Sequence, residues 1–325
     1  MCLPPLRLGR VGLYLLIADL IILGLLVYSL QPLITLLVRN EELFAPRPLE
    51  EWNQETQHPI PMILHQTTAD EVIPDKWVQS QKNCKETYPN FEYKLWTDAS
   101  ARAFLAAEYS WFLDTWDNYH FPIQRADSIR YFVLHQYGGI YLDMDTYCNA
   151  TFPVQAIQPG AAMHAAVFKS TLPTGVTNDF MVSSAKHPAF AAAIAKLPLF
   201  YKITWLWARL QPYSAIMLSS GPLFISLALE DYLLQQPSLP SMTVQVVHQS
   251  KLAPYITDLQ SATWHQTDAR VLMWLGLRPW TWFSLGAIGF VTGVWIVNYG
   301  LVMVYKLVIH QSVTISERLK VAKVL

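Results

Sequence analysis

The chain has 325 residues, room for one sizeable domain with appendages. Only 14% are charged, against about 25% in soluble globular chains. Net charge is −1, from 23 basic and 24 acidic residues, which excludes a global field that would gather nucleic acid or an acidic partner.

Residues 1–10 carry Arg7 and Arg10, and residues 11–38 are almost wholly apolar. The core of that run, VGLYLLIADLIILGLLVYSL, has the length of about 20 residues that crosses a hydrocarbon core. A cleaved signal peptide is the competing reading, but the run exceeds the usual apolar region of one and no small-x-small site follows. It is therefore expected to be an uncleaved anchor. Asp19 within it needs a partner helix or a water pocket. Residues 39–57 are polar and proline-punctuated, as a stem would be. They lead to a domain over 58–270 and a juxtamembrane stretch over 271–279. A second span follows at 280–305, with Trp280, Trp282 and Tyr305 at its edges. The tail 306–325 holds Lys306, Arg318, Lys320 and Lys323. The positive-inside rule puts both tails in the cytosol and residues 40 to about 278 on the lumenal side.

Within the domain, PIPMILHQT suits a buried strand, and a helix is expected from Pro74 to Tyr88. FEYKLWTD reads as a second strand ending at Asp98. Helices are expected over 99–108 and 122–137, then the strand GIYLDMD. This alternation predicts an α/β domain with a mainly parallel sheet. Ligands gather at the carboxyl ends of such strands, where His65, Asp98, Asp143 and Asp145 fall. The segment 122–137 is amphipathic by the spacing of Ile129, Phe132, Val133 and Tyr137. Asp127 and Arg130 share one of its faces, either as an ion pair or as a polar face aimed at a ligand.

Asp143 and Asp145 are two apart, and side chains two apart on an extended strand point the same way. They can converge on one hard divalent ion, with Met144 facing the sheet interior. Gly138 and Gly139 would let the backbone turn tightly into that strand. Two alternatives stay open on these residues alone: a strand end with two solvated aspartates, and the D-x-D-x-T nucleophile of a dehalogenase-like phosphatase. The phosphatase normally opens its fold with that motif, and here the motif comes about 80 residues into the domain. Of the three cysteines, Cys2 would be cytosolic, while an oxidising lumen permits a Cys84–Cys148 disulfide whose geometry spacing does not supply. Asn149-Ala150-Thr151 is an N-glycosylation sequon beside the aspartate pair.

ILHQT, NCKETYPNFEYKLWTD, PIQRADSIRYFVLHQYGGIYLDMD, TND with HP, GPLFIS and TWH occur in this order. Together they resemble the DxD-containing glycosyltransferases of the Och1/α-1,4-galactosyltransferase type, glycosyltransferase family 32. Within that family the look is of the fungal mannosyltransferases that act on inositol phosphorylceramide. The resemblance implies a GT-A type, Rossmann-like nucleotide-sugar domain flanked by N- and C-terminal membrane helices. It implies that Asp143 and Asp145 hold Mn²⁺, or Mg²⁺, against a nucleotide-sugar diphosphate, with His265 of TWH completing the shell. Asp127 and Arg130 would hold the donor sugar, and Tyr141, His65 and Arg125 would bind the donor. Asn178 and Asp179 would lie near the reacting sugar. The implied reaction moves mannose from GDP-mannose, with retention, to inositol phosphorylceramide in a Golgi membrane, the endoplasmic reticulum being the alternative. An N-glycan or another glycolipid is the alternative acceptor, and an inactive membrane scaffold the alternative role. A regulatory membrane subunit is a candidate partner, and nucleic acid is not. The aromatic, basic stretch 199–217 is either a core helix or a helix lying on the membrane surface.

Overall fold

The structure, a computed structural model, describes residues 10–46, 60–154, 164–239, 241, 243–259 and 267–322. It forms two compact units, one of residues up to 31 together with those from 270 onward, the other of residues 32–269.

Two long helices dominate the first unit: α1 (Arg10–Val38), which runs on into the second unit, and the carboxy-terminal helix (Pro279–Ala322). Both are long and apolar enough to span a membrane, over Gly12–Val38 and Pro279–Leu307. Their leucines, isoleucines and tryptophans face outward, as lipid-facing side chains do. The partner that Asp19 requires is Asn298, whose amide donates to its carboxylate at 3.1 Å. The segment Pro212–Leu234 is also long and apolar enough, though less apolar than those two, and 56% of its apolar window is buried inside the protein. It is two helices broken at Ser220-Gly221-Pro222, and it belongs to the core.

The second unit begins with the end of α1 and α2 (Asn40–Leu43). The end of the expected anchor and the start of the expected stem are packed: Leu36 of the former and Leu43 and Phe44 of the latter are buried, and Thr174 donates to the Leu36 carbonyl at 2.9 Å. Next come β1 (Ile63–Thr67), α3 (Asp75–Thr87), β2 (Glu92–Trp96), α4 (Asp98–Glu108), α5 (Leu113–Asp117), α6 (Pro122–Tyr137) and β3 (Gly139–Leu142). These follow the expected boundaries closely. Beyond them lie β4 (Thr146–Cys148), β5 (Ala166–Ser170), β6 (Val176–Ser183), α7 (Pro188–Trp205), α8 (Pro212–Ser219) and α9 (Pro222–Leu234). Then follow β7 (Val244–Val247), α10 (Gln249–Leu252), β8 (Ile256–Asp258), α11 (Thr267–Gly276) and α12, the carboxy-terminal helix.

Six strands form one sheet in the order β2-β1-β3-β6-β5-β7. Its sense is mixed. Five strands run one way, and β6, near the middle, runs against both β3 and β5. The expected mainly parallel sheet therefore holds, with one reversed strand that local patterning does not encode. Alternation sorts the side chains into two layers. Tyr141, Phe168, Met181 and Val246 face the helices α4 to α9, while Ile140, Leu142, Val167, Phe180, Val182 and Val247 face α3 and α10. Helix α6 is not amphipathic as expected. Ile129 through Leu134 are all buried, because the helix lies between sheet and α7–α9.

Cys84 of α3 and Cys148 of β4 are joined in a disulfide. The small β4–β8 ribbon carries Asn149 at its end, whose amide donates to the Ala253 carbonyl at 3.0 Å and the Thr257 hydroxyl at 2.9 Å.

Candidate active site

Gly138 and Gly139 link α6 to β3 with φ of 67° and 97°. A Cβ on Gly139 would lie 2.5 Å from the Ile63 carbonyl oxygen, and one on Gly138 2.6 Å from the Ala185 nitrogen. Both positive φ and close approach require glycine there. The pair brings β3 alongside β1 and delivers Asp143 to the carboxyl edge of the sheet. The aspartates then depart from the expectation of an extended strand. β3 stops at Leu142, and Asp143-Met144-Asp145 form a turn closed by the Thr146 amide on the Asp143 carbonyl at 3.1 Å. Turn geometry, not period-two alternation, directs both carboxylates into one cavity. Met144 is buried, as expected.

That cavity has a volume of about 410 Å³, within the roughly 300–1,000 Å³ of small-molecule sites. Thr67, Trp77, Trp96 and Trp116 form much of its wall, and Arg130, Asp143 and Asp145 supply charge. Arg130 is buried, with its guanidinium 2.9 Å from Asp127 and 3.0 Å from Asp143. It also donates to the Asn178 carbonyl at 2.6 Å and lies over the Tyr141 ring at 4.6 Å. The Asp127–Arg130 spacing thus produces both open readings at once, an intrahelical ion pair and a cation facing the cavity.

Asp127 is held from every side: Asn178 donates to one oxygen at 3.0 Å and Ser220 to the other at 3.2 Å. Burial raises its pKa, opposed by Arg130, Asn178 and Ser220. It stands behind Arg130 and is not part of the cavity wall. In this structure its contacts are with Arg130, Asn178 and Ser220. Tyr141 is fully buried and takes the Thr67 hydroxyl at 2.8 Å while donating to Asp143 at 2.8 Å. It props the carboxylate from below. Burial pushes the Asp143 carboxyl up to about 7; Arg130 opposes this, and the charges of Asp179 and Asp145 reinforce it.

His65 is not at the cavity. It sits mid-strand in β1 with no exposure, taking the Trp96 indole N–H on Nδ1 at 3.0 Å and meeting the Gly138 carbonyl through Nε2 at 2.9 Å. The indole donor makes Nδ1 an acceptor, so Nε2 carries the proton. Burial holds its pKa down to about 4. His65 therefore fixes Trp96, a cavity wall, and the glycine turn. Arg125 pairs with Asp98 at 2.8 Å, and it is Asp98 that reaches the wall. Asn178 joins Asp127 to Tyr131 at 3.0 Å. Asp179 pairs with Lys169, and its carbonyl takes the Asp143 amide at 3.0 Å. His265 lies outside the described residues.

Sequence reasoning missed Ser220, Gln124, Tyr131 and Lys169. Gln124 donates to Ser219 at 2.6 Å and Tyr131 to the Ser220 carbonyl at 2.6 Å, so the Ser-Ser-Gly-Pro break before α9 clamps α6. The available signal was that serine pair directly ahead of a helix-opening proline.

Asp143 and Asp145 offer oxygen donors only, the chemistry that Mn²⁺ and Mg²⁺ take; burial foremost, and then the neighbouring carboxylates, lift Asp143, and a cation there would favour its charged form. Among the described residues no cluster of three ligating side chains gathers.

Residues 74–163 match the family described as glycosyltransferase sugar-binding region containing DXD motif. An inositol phosphoceramide mannosyltransferase of Schizosaccharomyces pombe is 39% identical over 221 residues, covering 66% of this chain and 61% of that protein. A mannosyl phosphorylinositol ceramide synthase of Saccharomyces cerevisiae is 38% identical over 218 residues, covering 66% of this chain and 54% of that protein. The chain therefore spans somewhat over half the length of these curated relatives. Among solved structures, the PaToxG glycosyltransferase aligns at a TM-score of 0.40 and 14% identity, covering 57% of this chain and 73% of that one. That likeness is too distant to argue from.

Proposed function

We propose that this chain, which carries the DXD-containing glycosyltransferase sugar-binding region over residues 74–163, transfers mannose from GDP-mannose to inositol phosphorylceramide. The observation that carries the reading is the turn that sends Asp143 and Asp145 into an aromatic-walled cavity beside the buried Arg130. The dehalogenase-like alternative falls away, because the family match contains the LDMDT segment itself. The acceptor and donor follow from the names of the two relatives and from the family branch.

Asp143 and Asp145 would hold Mn²⁺, or Mg²⁺. Bound there, the ion would bind the donor diphosphate and offset its charge. Arg130 supplies a second positive charge toward the departing diphosphate, preorganised because Asp127, the Asn178 carbonyl and Tyr141 already fix its guanidinium. Trp77 and Trp96 give the nucleoside flat apolar walls and exclude water. His65 keeps Trp96 in place, and Thr67 with Tyr141 orients the Asp143 carboxylate. Asp127 orients Arg130. The acceptor hydroxyl attacks the anomeric carbon of mannose from the leaving-group side as the bond from that carbon to the diphosphate oxygen breaks, its proton passing to an oxygen of the departing diphosphate.

A lipid acceptor is supported by the end of α7 and the turn after it. Leu199, Ile203, Trp205, Leu206 and Leu210 are exposed there, the last two by more than 80%. No acidic residue occurs between Asp179 and Glu230, while Lys186, Lys196, Lys202 and Arg209 do. Lys196 is paired with Asp231, so Lys202 and Arg209 are the cations that accompany this apolar face, a combination that suits an anionic bilayer surface. The other face of α7 is core, through Phe190, Ile194, Leu197 and Tyr201. The disulfide supports an oxidising, lumenal compartment, the Golgi or the endoplasmic reticulum, with both tails cytosolic. The exposed spans leave room for a regulatory membrane subunit.

The test is a membrane assay with labelled GDP-mannose, inositol phosphorylceramide and Mn²⁺. Wild type yields mannosylated lipid, and Asp143→Ala with Asp145→Ala reduces it by about 10³-fold or more. No mannosylated lipid from wild type overturns the assignment, and unchanged activity in the double variant overturns the metal site.

A further inference from the structure

The carboxyl edge of the sheet carries a second cavity, of about 210 Å³, lined by Lys169, Gln249, Leu252, Ala253, Ile256, Thr257 and Asp258. Strands β5 and β7 are parallel to one another, and because β6 is reversed against both its neighbours they run in the sense of β1, β2 and β3. Both cavities consequently open at the same edge, one beyond β1–β3 and one beyond β5–β7, where such sheets take ligands. The catalytic carboxylates stand between them. Asp145 lines the first cavity, and its carbonyl takes the amide of Leu259, the residue after Asp258 of the second. Asp179 meets the Asp143 amide through its carbonyl and Lys169 through its carboxylate.

The chemistry of the two differs. The first is walled by indoles and contains a guanidinium, as a nucleoside diphosphate requires. The second sets an ammonium, a carboxylate, an amide and a hydroxyl around Leu252 and Ile256. The charges of Lys169 and Asp258 are of opposite sign, so the cavity does not select an anion. A mixed set of donors and acceptors beside two apolar side chains suits the hydroxyls and C–H face of a single six-membered polyol ring. The volume is half that of the first cavity, too small for a nucleotide.

We infer that this second cavity is the acceptor subsite and receives a hydroxyl-rich ring, a cyclitol or a hexose, delivering one hydroxyl to the carboxylate row that separates it from the donor. The inference rests on the transferase reading above. Lys169, neutralised by Asp179, is its deepest polar group and a positioning link between ring and reacting centre.

Binding without turnover tests it. Full-length protein in detergent micelles is probed by saturation-transfer NMR with myo-inositol 1-phosphate and, separately, methyl α-mannopyranoside. Ring-proton signals from at least one probe are expected, and they persist when GDP and Mn²⁺ saturate the first cavity. Ala253→Trp, which fills the cavity from an exposed position, abolishes them. The isosteric Asp258→Asn, at an exposed position, weakens binding by about tenfold, the loss of one hydrogen bond to a charged group. Circular dichroism establishes that each variant is folded, and Asp258→Asn keeps the test alive where the larger side chain disturbs folding. Tighter binding of the inositol phosphate identifies a lipid headgroup, and tighter binding of the mannoside a glycan. No signal from either probe, displacement by GDP, or undiminished signals in the folded variants overturns the subsite. Because no transfer is needed, failure of wild type to mannosylate the lipid would sink the proposed reaction and leave this result readable.

Discussion

Two arginines five residues apart on α6 serve the same cavity, Arg130 in its wall and Arg125 behind Asp98, and they behave differently. Arg125 meets Asp98 with both side chains a quarter or more exposed, whereas Arg130 meets Asp127 with both under 10% exposed. A surface pair gains little, because water screens it and two flexible side chains must be held. A buried pair is different: its net contribution is small, but removing one partner strands the other charge in a low-dielectric site. The comparison teaches that the Arg130 cluster is a preorganised device whose parts fail together, while Arg125–Asp98 trims the cavity wall.

The largest break is Arg130→Met. With Asp127 left unpaired it is expected to cost about 3–5 kcal/mol of stability, read by denaturant unfolding, and to lower kcat by about 10²–10³-fold in whatever folds. A loss below about 1 kcal/mol would place this pair with the surface ones.

Acid comes next, since the buried histidines share the logic of the buried arginine. Burial holds His65 and His187 down to about 4 from the ordinary 6.5. The unfolded chain therefore binds more protons than the folded one below 6.5, and stability falls as pH drops from 6.5 to 4, by on the order of 3 kcal/mol per histidine. Thermal unfolding across that window checks it, and His65→Gln should flatten part of the slope.

Asp127→Asn sharpens the assignment of roles. As a positioning residue it is expected to lose about 1–3 kcal/mol of stability together with kcat, leaving donor KM nearly unchanged. A large rise in donor KM at unchanged stability would instead mark direct contact with the sugar. The smallest effect is Arg125→Gln, within about 1 kcal/mol and about fivefold in KM, measured by the same unfolding and kinetic assays.

Much of the first half of the domain was legible. Hydrophobic runs, the helix from Pro122 and the Gly138-Gly139 turn follow from local rules, so β1, α3, β2, α4, α6 and β3 fall where expected. The site was legible as a set of residues and not as a set of roles. His65 looked like a pocket residue because it belongs to the strand nearest the site. It shares the face of Thr67 but lies two residues deeper in the strand, and the Trp96 indole holds it beneath the wall. Tyr141 likewise supports Asp143 from below. Lys169 was unreadable, since its partner Asp179 comes from a neighbouring strand through a register shift after Phe168.

The amino-acid sequence by itself determined the membrane-spanning lengths, the α/β alternation, the glycine pair and the aspartates two apart, because each depends on covalent neighbours and side-chain periodicity. Tertiary structure alone decided the reversal of β6, the turn that aims Asp143 and Asp145, the burial that makes Arg130 a fixed cation, and the second cavity beyond β5–β7. Those depend on which distant segments pair and how much water they exclude, and neither is written in any local stretch of the chain.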